Sequence, residues 1–257
     1  MSRVELKEYW YTEMNKRVSR RSYINEDIEI KKIEALQKLI YKINSNADLN
    51  IQLIKDCEEV FKGFKASYGT ISGAKYCLAL VGDSNDKNIE LKLGYYGEAL
   101  VLEATSLGLG TCWIGGTYNK KALENIISIK DDEKLYITIA LGYVKDEKSL
   151  KEKILGKVAK DKNNIEDLIT LINCSIPQWL FFALGSVRKA PSALNRQPWH
   201  FEYDGNKVRS YIKETKSNYE RIDLGIALIH FALGAKKLGV DVTWDLKGDE
   251  AVYIEKQ

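Results

Sequence analysis

In the run Arg17-Val18-Ser19-Arg20-Arg21-Ser22-Tyr23, the polar residues Arg17, Ser19 and Arg21 stand at alternate positions. In an extended segment all three project to one side with Arg20 on the other, and together they could wrap a phosphate in charge-assisted hydrogen bonds. A solvated basic face is the other use of the same residues. A second cluster is Ala190-Pro-Ser-Ala-Leu-Asn-Arg-Gln-Pro-Trp199, a loop holding two of the chain's three prolines. Its prolines restrict the backbone, while Ser192 and Asn195 offer a hydroxyl and an amide to a polar ligand. Third, Gly115-Gly116 ends the short apolar piece Thr111-Cys-Trp-Ile114 and could let backbone N–H groups approach a flat ligand.

Most other chemistries lack their residues. No GxSxG elbow and no Walker motif occur, and Gly108-Leu-Gly110 follows a helical pattern, so it reads as a helix stop rather than as a dinucleotide fingerprint. Two histidines, His200 and His230, cannot build a histidine-rich metal centre, and Cys57, Cys77, Cys112 and Cys174 never approach CxxC spacing. No metal is expected.

The elements that must position these groups belong to one or two compact units within 257 residues, with 45% hydrophobic and 29% charged residues. Lys plus Arg is 39 against 36 for Asp plus Glu, a net charge of +3 without the excess that a nucleic-acid backbone binder needs. The N-terminal residues mix acidic and basic side chains with no signal-like apolar stretch. Leu168 to Val187 is near spanning length but holds Asn173, Ser175, Pro177 and Gln178, and reads as two helices joined at a turn. Neither secretion nor a membrane partner is expected, and free cysteines favour a cytoplasmic location.

Helices are expected at Val4–Arg17, Glu29–Ile43, Ile89–Leu107 and Gln178–Lys189. Strands are expected at Leu49–Ile54, Tyr76–Val81, Leu135–Leu141, Trp199–Tyr203 and Val208–Ile212. The polar stretch Asp146 to Asp167 reads as an exposed connection or surface helix and as the boundary between two unequal halves, 1–160 and 161–257. An ungapped match joins them: Leu93-Gly94 with Leu224-Gly225, Leu102 with Leu233, Ala104 with Ala235, Leu107-Gly108 with Leu238-Gly239, and Trp113 with Trp244. This suggests an internal duplication in which two long apolar helices pack together at the centre.

RxSxRxY at residues 17–23, LGLGTCWIGG at 107–116 and APSALNRQPWHF at 190–201 together resemble the FMN-dependent nitroreductase superfamily over most of the chain. The last motif is the most specific. Family members carry all three motifs in one subunit, with APSxxNxQPW following RxSxR, whereas here Ser45-Asn-Ala-Asp-Leu-Asn50 occupies that place and the intact motif falls in the second half. The chain is therefore similar to the fused branch, a single-chain pseudodimer with one intact flavin site, and a monomer is expected.

The resemblance implies an α+β nitroreductase-like fold: two related halves, each a mixed, mostly antiparallel sheet flanked by helices, with two long central helices. It implies one tightly bound FMN per chain and NAD(P)H as transient donor. The cofactor residues it implies are Arg17, Val18, Ser19 and Arg21; Ile114, Gly115 and Gly116, with the Gly115 backbone toward flavin N5; and Pro191, Ser192, Ala193 and Asn195. A basic pair, Lys151 and Lys153, would complete the phosphate site, in competition with Lys145 and Lys148, and Tyr68-Gly-Thr70 could touch the ring. The implied activity is ping-pong reduction of a small electron-poor acceptor, a nitroaromatic or quinone, with no catalytic side chain because the flavin carries the chemistry. Reductive dehalogenation, ene reduction or oxidase use of the same flavin, a flavin carrier or redox sensor, and a decayed site remain open alternatives.

Overall fold

The computed structural model describes residues 4–62, 71–145 and 163–254. The chain divides into two compact units, one formed by Met1–Asn15, Asp86–Ala99 and Lys160–Gln257, the other by Lys16–Asn85 and Leu100–Ala159.

In the second of these, α2 (Ile30–Ala47) is followed by strands β1 (Asn50–Lys55), β2 (Tyr76–Asp83), β3 (Gly110–Ile114) and β4 (Glu133–Gly142). They form an antiparallel sheet in the order β1-β2-β4-β3. β2 lies between two neighbours, and its run Tyr76 to Gly82 is buried residue after residue rather than alternately. That is why it reads as a continuous apolar stretch. Leu36 of α2 packs with Tyr76, Leu109 and Leu141, while Cys77, Ala79, Cys112 and Ala140 belong to a second cluster with Tyr23, Val60 and Leu123. A short helix, α4 (Lys120–Glu124), is capped by Asn119, whose side chain accepts the Ala122 N–H.

The other unit contains α1 (Tyr9–Lys16) up to Asn15, the helices α5 (Ile165–Leu168), α6 (Gln178–Val187) and α7 (Glu220–Lys236), and a five-stranded sheet. Its strands are β5 (Ile169–Leu171), β6 (Trp199–Tyr203), β7 (Lys207–Ile212), β8 (Asp245–Lys247) and β9 (Glu250–Ile254), in the order β5-β6-β7-β9-β8. Only β5 to β6 is parallel. α7 is buried over nearly its whole circumference, and Phe231 on it stacks on Phe201 of β6 at 5.2 Å with Trp179 and Trp244 edge-on.

The long helix α3 (Ile89–Ser106) begins in this unit and crosses α7 there. A Cβ added at Gly94 would lie 2.1 Å from the Ile222 carbonyl oxygen, and one at Gly225 would lie 2.2 Å from the Leu91 carbonyl oxygen. Each glycine thus abuts the carbonyl three residues before its counterpart on the other helix, the self-complementary pattern of a two-fold contact. The helix ends match as well. Gly108 (φ 75°) donates to Thr105 and Leu109 to Ala104; Gly239 (φ 82°) donates to Lys236 and Val240 to Ala235. Glycine is used at both stops because the backbone there is left-handed. Beyond the caps the two segments diverge, since Gly110 starts β3 at once while the segment after Gly239 reaches Trp244 before β8 begins.

Three expectations change. The expected first helix is shorter, Tyr9–Lys16, its entry set by Trp10 and Tyr11 N–H groups bonding to the Lys7 and Glu8 carbonyls. Leu168 to Val187 is not two helices: Ile169–Leu171 is a strand paired with Phe201–Tyr203, because the largely β-branched edge segment Ile-Thr-Leu finds ladder partners on β6. The third is an addition: Thr111–Ile114, read as a short apolar piece with no element assigned, lies in β3. No helix among the described residues is long and apolar enough to cross a membrane.

Gly185 on α6 has ordinary helical backbone and nothing within 4 Å of an added Cβ. Gly185→Ala is expected to stabilise the protein by about 0.5–1 kcal/mol in urea unfolding, because alanine narrows the unfolded ensemble at no steric cost.

Candidate cofactor site

Residues 17–23 form an extended segment laid along β3. The Arg20 N–H donates to the Thr111 carbonyl at 2.8 Å, Ser19 pairs with Thr111 in a parallel bridge, and Ser22 pairs with Ser72 through the Tyr23-to-Ser72 and Ser72-to-Arg21 bonds. Extended backbone sets alternation. Arg20 turns inward, 8% exposed, with Nη2 donating to the Lys145 carbonyl at 2.6 Å, whereas Arg17, Ser19 and Arg21 are half-buried. Val18 is exposed.

Close packing makes this placement stiff. Tyr23 Oη lies 2.8 Å from the Arg20 carbonyl and 3.3 Å from that of Ala140. A side chain at Gly110 would strike Val144 and approach Arg20, and one at Gly73 would come within 2.4 Å of the Tyr23 carbonyl. The RxSxR segment and the LGLGTCWIGG segment therefore lie in one unit and are hydrogen-bonded to each other. Ile114 is buried at the end of β3, Gly115 is half-buried and Gly116 exposed.

The loop that carries Pro191, Ser192, Ala193 and Asn195 joins α6 to β6 in the other unit. Leu194 (φ 52°), Asn195 (φ 54°) and Gln197 (φ 53°) are all left-handed, an arrangement that costs energy at each non-glycine residue and persists only where surroundings enforce it. They do so here. Asp223 at the start of α7 accepts the Ala193 N–H with both carboxylate oxygens, at 3.1 and 3.0 Å. Ser192 Oγ accepts the Gln197 N–H at 3.0 Å, Gln197 Nε2 donates to the Asn195 carbonyl, and Gln197 Oε1 accepts from the Asn163 N–H at 2.9 Å. The Ser192 oxygen is thus already an acceptor within the loop, which leaves its hydroxyl proton to donate.

Asp223 and Gln197 escaped sequence reasoning as site-building residues. Gln197 lies within the motif and could have been noticed; Asp223, thirty residues from its partner, gives no local signal. The two histidines serve the fold: His200 Nε2 bonds with Thr170 Oγ1 at 2.9 Å, and burial holds its pKa below the ordinary histidine value. His230 is enclosed with Glu98. Lys151 and Lys153, with Lys148, Tyr68 and Thr70, lie outside the described residues.

What this arrangement offers is chemically specific. Two guanidiniums and a hydroxyl at alternate positions of one backbone-bonded segment form a donor set suited to a phosphate, and no acidic residue falls within 17–23. The donor chemistry fits the phosphate end of a flavin mononucleotide.

Comparison with known proteins gives the following. The family described as "Putative TM nitroreductase" matches residues 10–235. Among solved structures, the chain is similar to one from Thermotoga maritima described as a putative nitroreductase, with 19% identity and a TM-score of 0.64, over 99% of this chain and 98% of that one. It is also similar to an FMN-dependent nitroreductase from Clostridium difficile R20291, with 20% identity and a TM-score of 0.43, over 53% of this chain and 88% of that one. A nitroreductase with bound FMN from Bacteroides fragilis has 16% identity and a TM-score of 0.42, over 55% of this chain and 94% of that one. No curated protein matches the sequence.

Proposed function

The chain belongs to the nitroreductase family whose model spans residues 10–235, and from that premise we propose that it is an FMN-dependent oxidoreductase that uses NAD(P)H to reduce a small electron-poor acceptor. The observation that supports the reading is that half-buried Arg17, Ser19 and Arg21 stand at alternate positions of a segment whose backbone is bonded to Thr111 of β3, with Arg20 between them turned inward. Arg17 and Arg21 would neutralise the cofactor phosphate and Ser19 would donate to it or to the ribityl chain. Ile114, Gly115 and Gly116 would offer backbone to the ring, Gly115 having no side chain to obstruct a donor N–H. Pro191, Ser192, Ala193 and Asn195 are assigned to the same cofactor on the motif alone, and Lys151 and Lys153 on spacing alone.

FMN, when bound, supplies the two-electron redox chemistry, so the protein need only hold, orient and electronically tune it. Tuning would come from N–H groups and positive charge facing the ring edge, which favour its reduced form. Ping-pong turnover with a nitroaromatic or quinone acceptor is the corresponding kinetic expectation. The same reading takes residues 1–160 and 161–257 as the two copies of a fused pseudodimer that works as a monomer.

The test is titration of the purified protein with FMN, with flavin counted per chain and mass measured by light scattering. One FMN per monomer is expected, with bleaching of the bound flavin by excess NADH or NADPH. Absence of binding would refute the reading, and binding without bleaching would favour a carrier instead. Arg21→Ala is expected to weaken FMN about tenfold or more, the size of one lost charge-assisted pair. Arg20→Ala should instead lower stability and leave affinity within a few fold, since Arg20 is turned into the protein.

A further inference from the structure

Cys57 and Cys77 take no part in the cofactor reading, yet their sulfurs are held close enough to be joined. Their sulfurs are 2.9 Å apart, less than about 1 Å beyond the covalent S–S length of about 2.05 Å. Both side chains are fully buried. The backbone holds them there: Cys57 N–H donates to the Lys75 carbonyl at 2.9 Å, and β1 to β2 pairing sets Ile54 opposite Cys77. Cys57 Sγ also lies 3.5 Å from the Ile54 carbonyl. The remaining cysteines do not share this geometry, Cys112 lying beside the Trp113 carbonyl and Cys174 beside that of Tyr203.

We propose that Cys57 and Cys77 are a disulfide-forming pair, closed by a small disulfide oxidant such as oxidised glutathione and opened by thiols. The bond would tie β2 to the turn that follows β1. Closure proceeds by attack of one cysteine thiolate on oxidised glutathione, releasing one reduced glutathione and leaving a mixed disulfide. The second cysteine then attacks the protein sulfur of that mixed disulfide and releases the other glutathione. Two protein thiols are oxidised, one glutathione disulfide is reduced, and two protons pass to the leaving thiolates. Hydrogen bonding with Cys77, followed by burial, holds the Cys57 thiol far above the ordinary cysteine range. Both sulfurs are shut off from solvent in the folded state, so exchange needs the chain to open and the closed bond is shielded once formed. The pair acts as a slow staple rather than a fast sensor.

The experiment uses the full chain, reduced, unfolded in urea and refolded in glutathione buffers of rising oxidised fraction, then alkylated and digested without reduction. The expected result is loss of two of the four thiols, appearance of Asp56–Lys62 joined to Tyr76–Lys87, and a melting temperature raised by on the order of 5–10 °C over the reduced protein. The double variant Cys112→Ser with Cys174→Ser, which leaves only the proposed pair, should lose both thiols without a disulfide between chains. Four free thiols at the oxidising end, or a link that includes Cys112 or Cys174, would overturn the proposal.

Discussion

Gly94→Ala and Gly225→Ala are each expected to cost about 3 kcal/mol or more, the upper range for overpacking, because the obstacle is backbone and cannot rotate away. Two effects oppose each other. Helix propensity alone favours alanine over glycine by about 1 kcal/mol. Against it stands an added Cβ 2.1 or 2.2 Å from a carbonyl oxygen of the facing helix, which no rotamer change relieves. Packing must win, and the helices must separate at the crossing. Because the two contacts are reciprocal, the two losses should be similar. Gly108→Ala is the control: its backbone is left-handed but the space is open, so a conformational cost of about 1 kcal/mol is expected. Chemical denaturation of the three variants decides the matter, and a gain in stability at Gly94 or Gly225 would refute the close crossing.

Glu98→Leu or His230→Leu should cost about 3–5 kcal/mol each, while the double replacement costs clearly less than their sum. The carboxylate and imidazole meet at 3.0 Å with neither exposed to solvent. His230 Nδ1 faces the Ser186 carbonyl at 3.2 Å, and since a carbonyl only accepts, Nδ1 carries a proton. Nε2 and Oε1 share the other hydrogen bond, and either single change leaves a buried polar atom short of one bond. A double-mutant cycle by urea unfolding measures the coupling, and additive losses would mean that the two groups are stabilised separately.

Much of this architecture could be read from residues. The strands at Trp199–Tyr203 and Tyr76–Val81 and the helices starting at Ile89 and Gln178 follow from local apolar pattern and the adjacent turn residues. The matched Leu-Gly pairs were visible as a repeat, and the crossing of Gly94 and Gly225 gives that repeat a physical use. What escaped depends on distant partners. β5 is three residues long and is a strand only because β6 lies beside it. β8 and β9 alternate, but over only three and five residues, too short a run to stand out without the partner strand. The extended course of 17–23 could be anticipated, but its hydrogen bonds to Thr111 and Ser72 could not, nor could Asp223 beneath Ala193.

The left-handed turn at Leu194, Asn195 and Gln197 has a consequence for association rates. Its shape is already enforced by Asp223 and Gln197, so any ligand meeting this loop loses little chain entropy on arrival. Capture there should follow a single kinetic phase whose rate grows in proportion to ligand concentration, with no plateau from a slow ordering step.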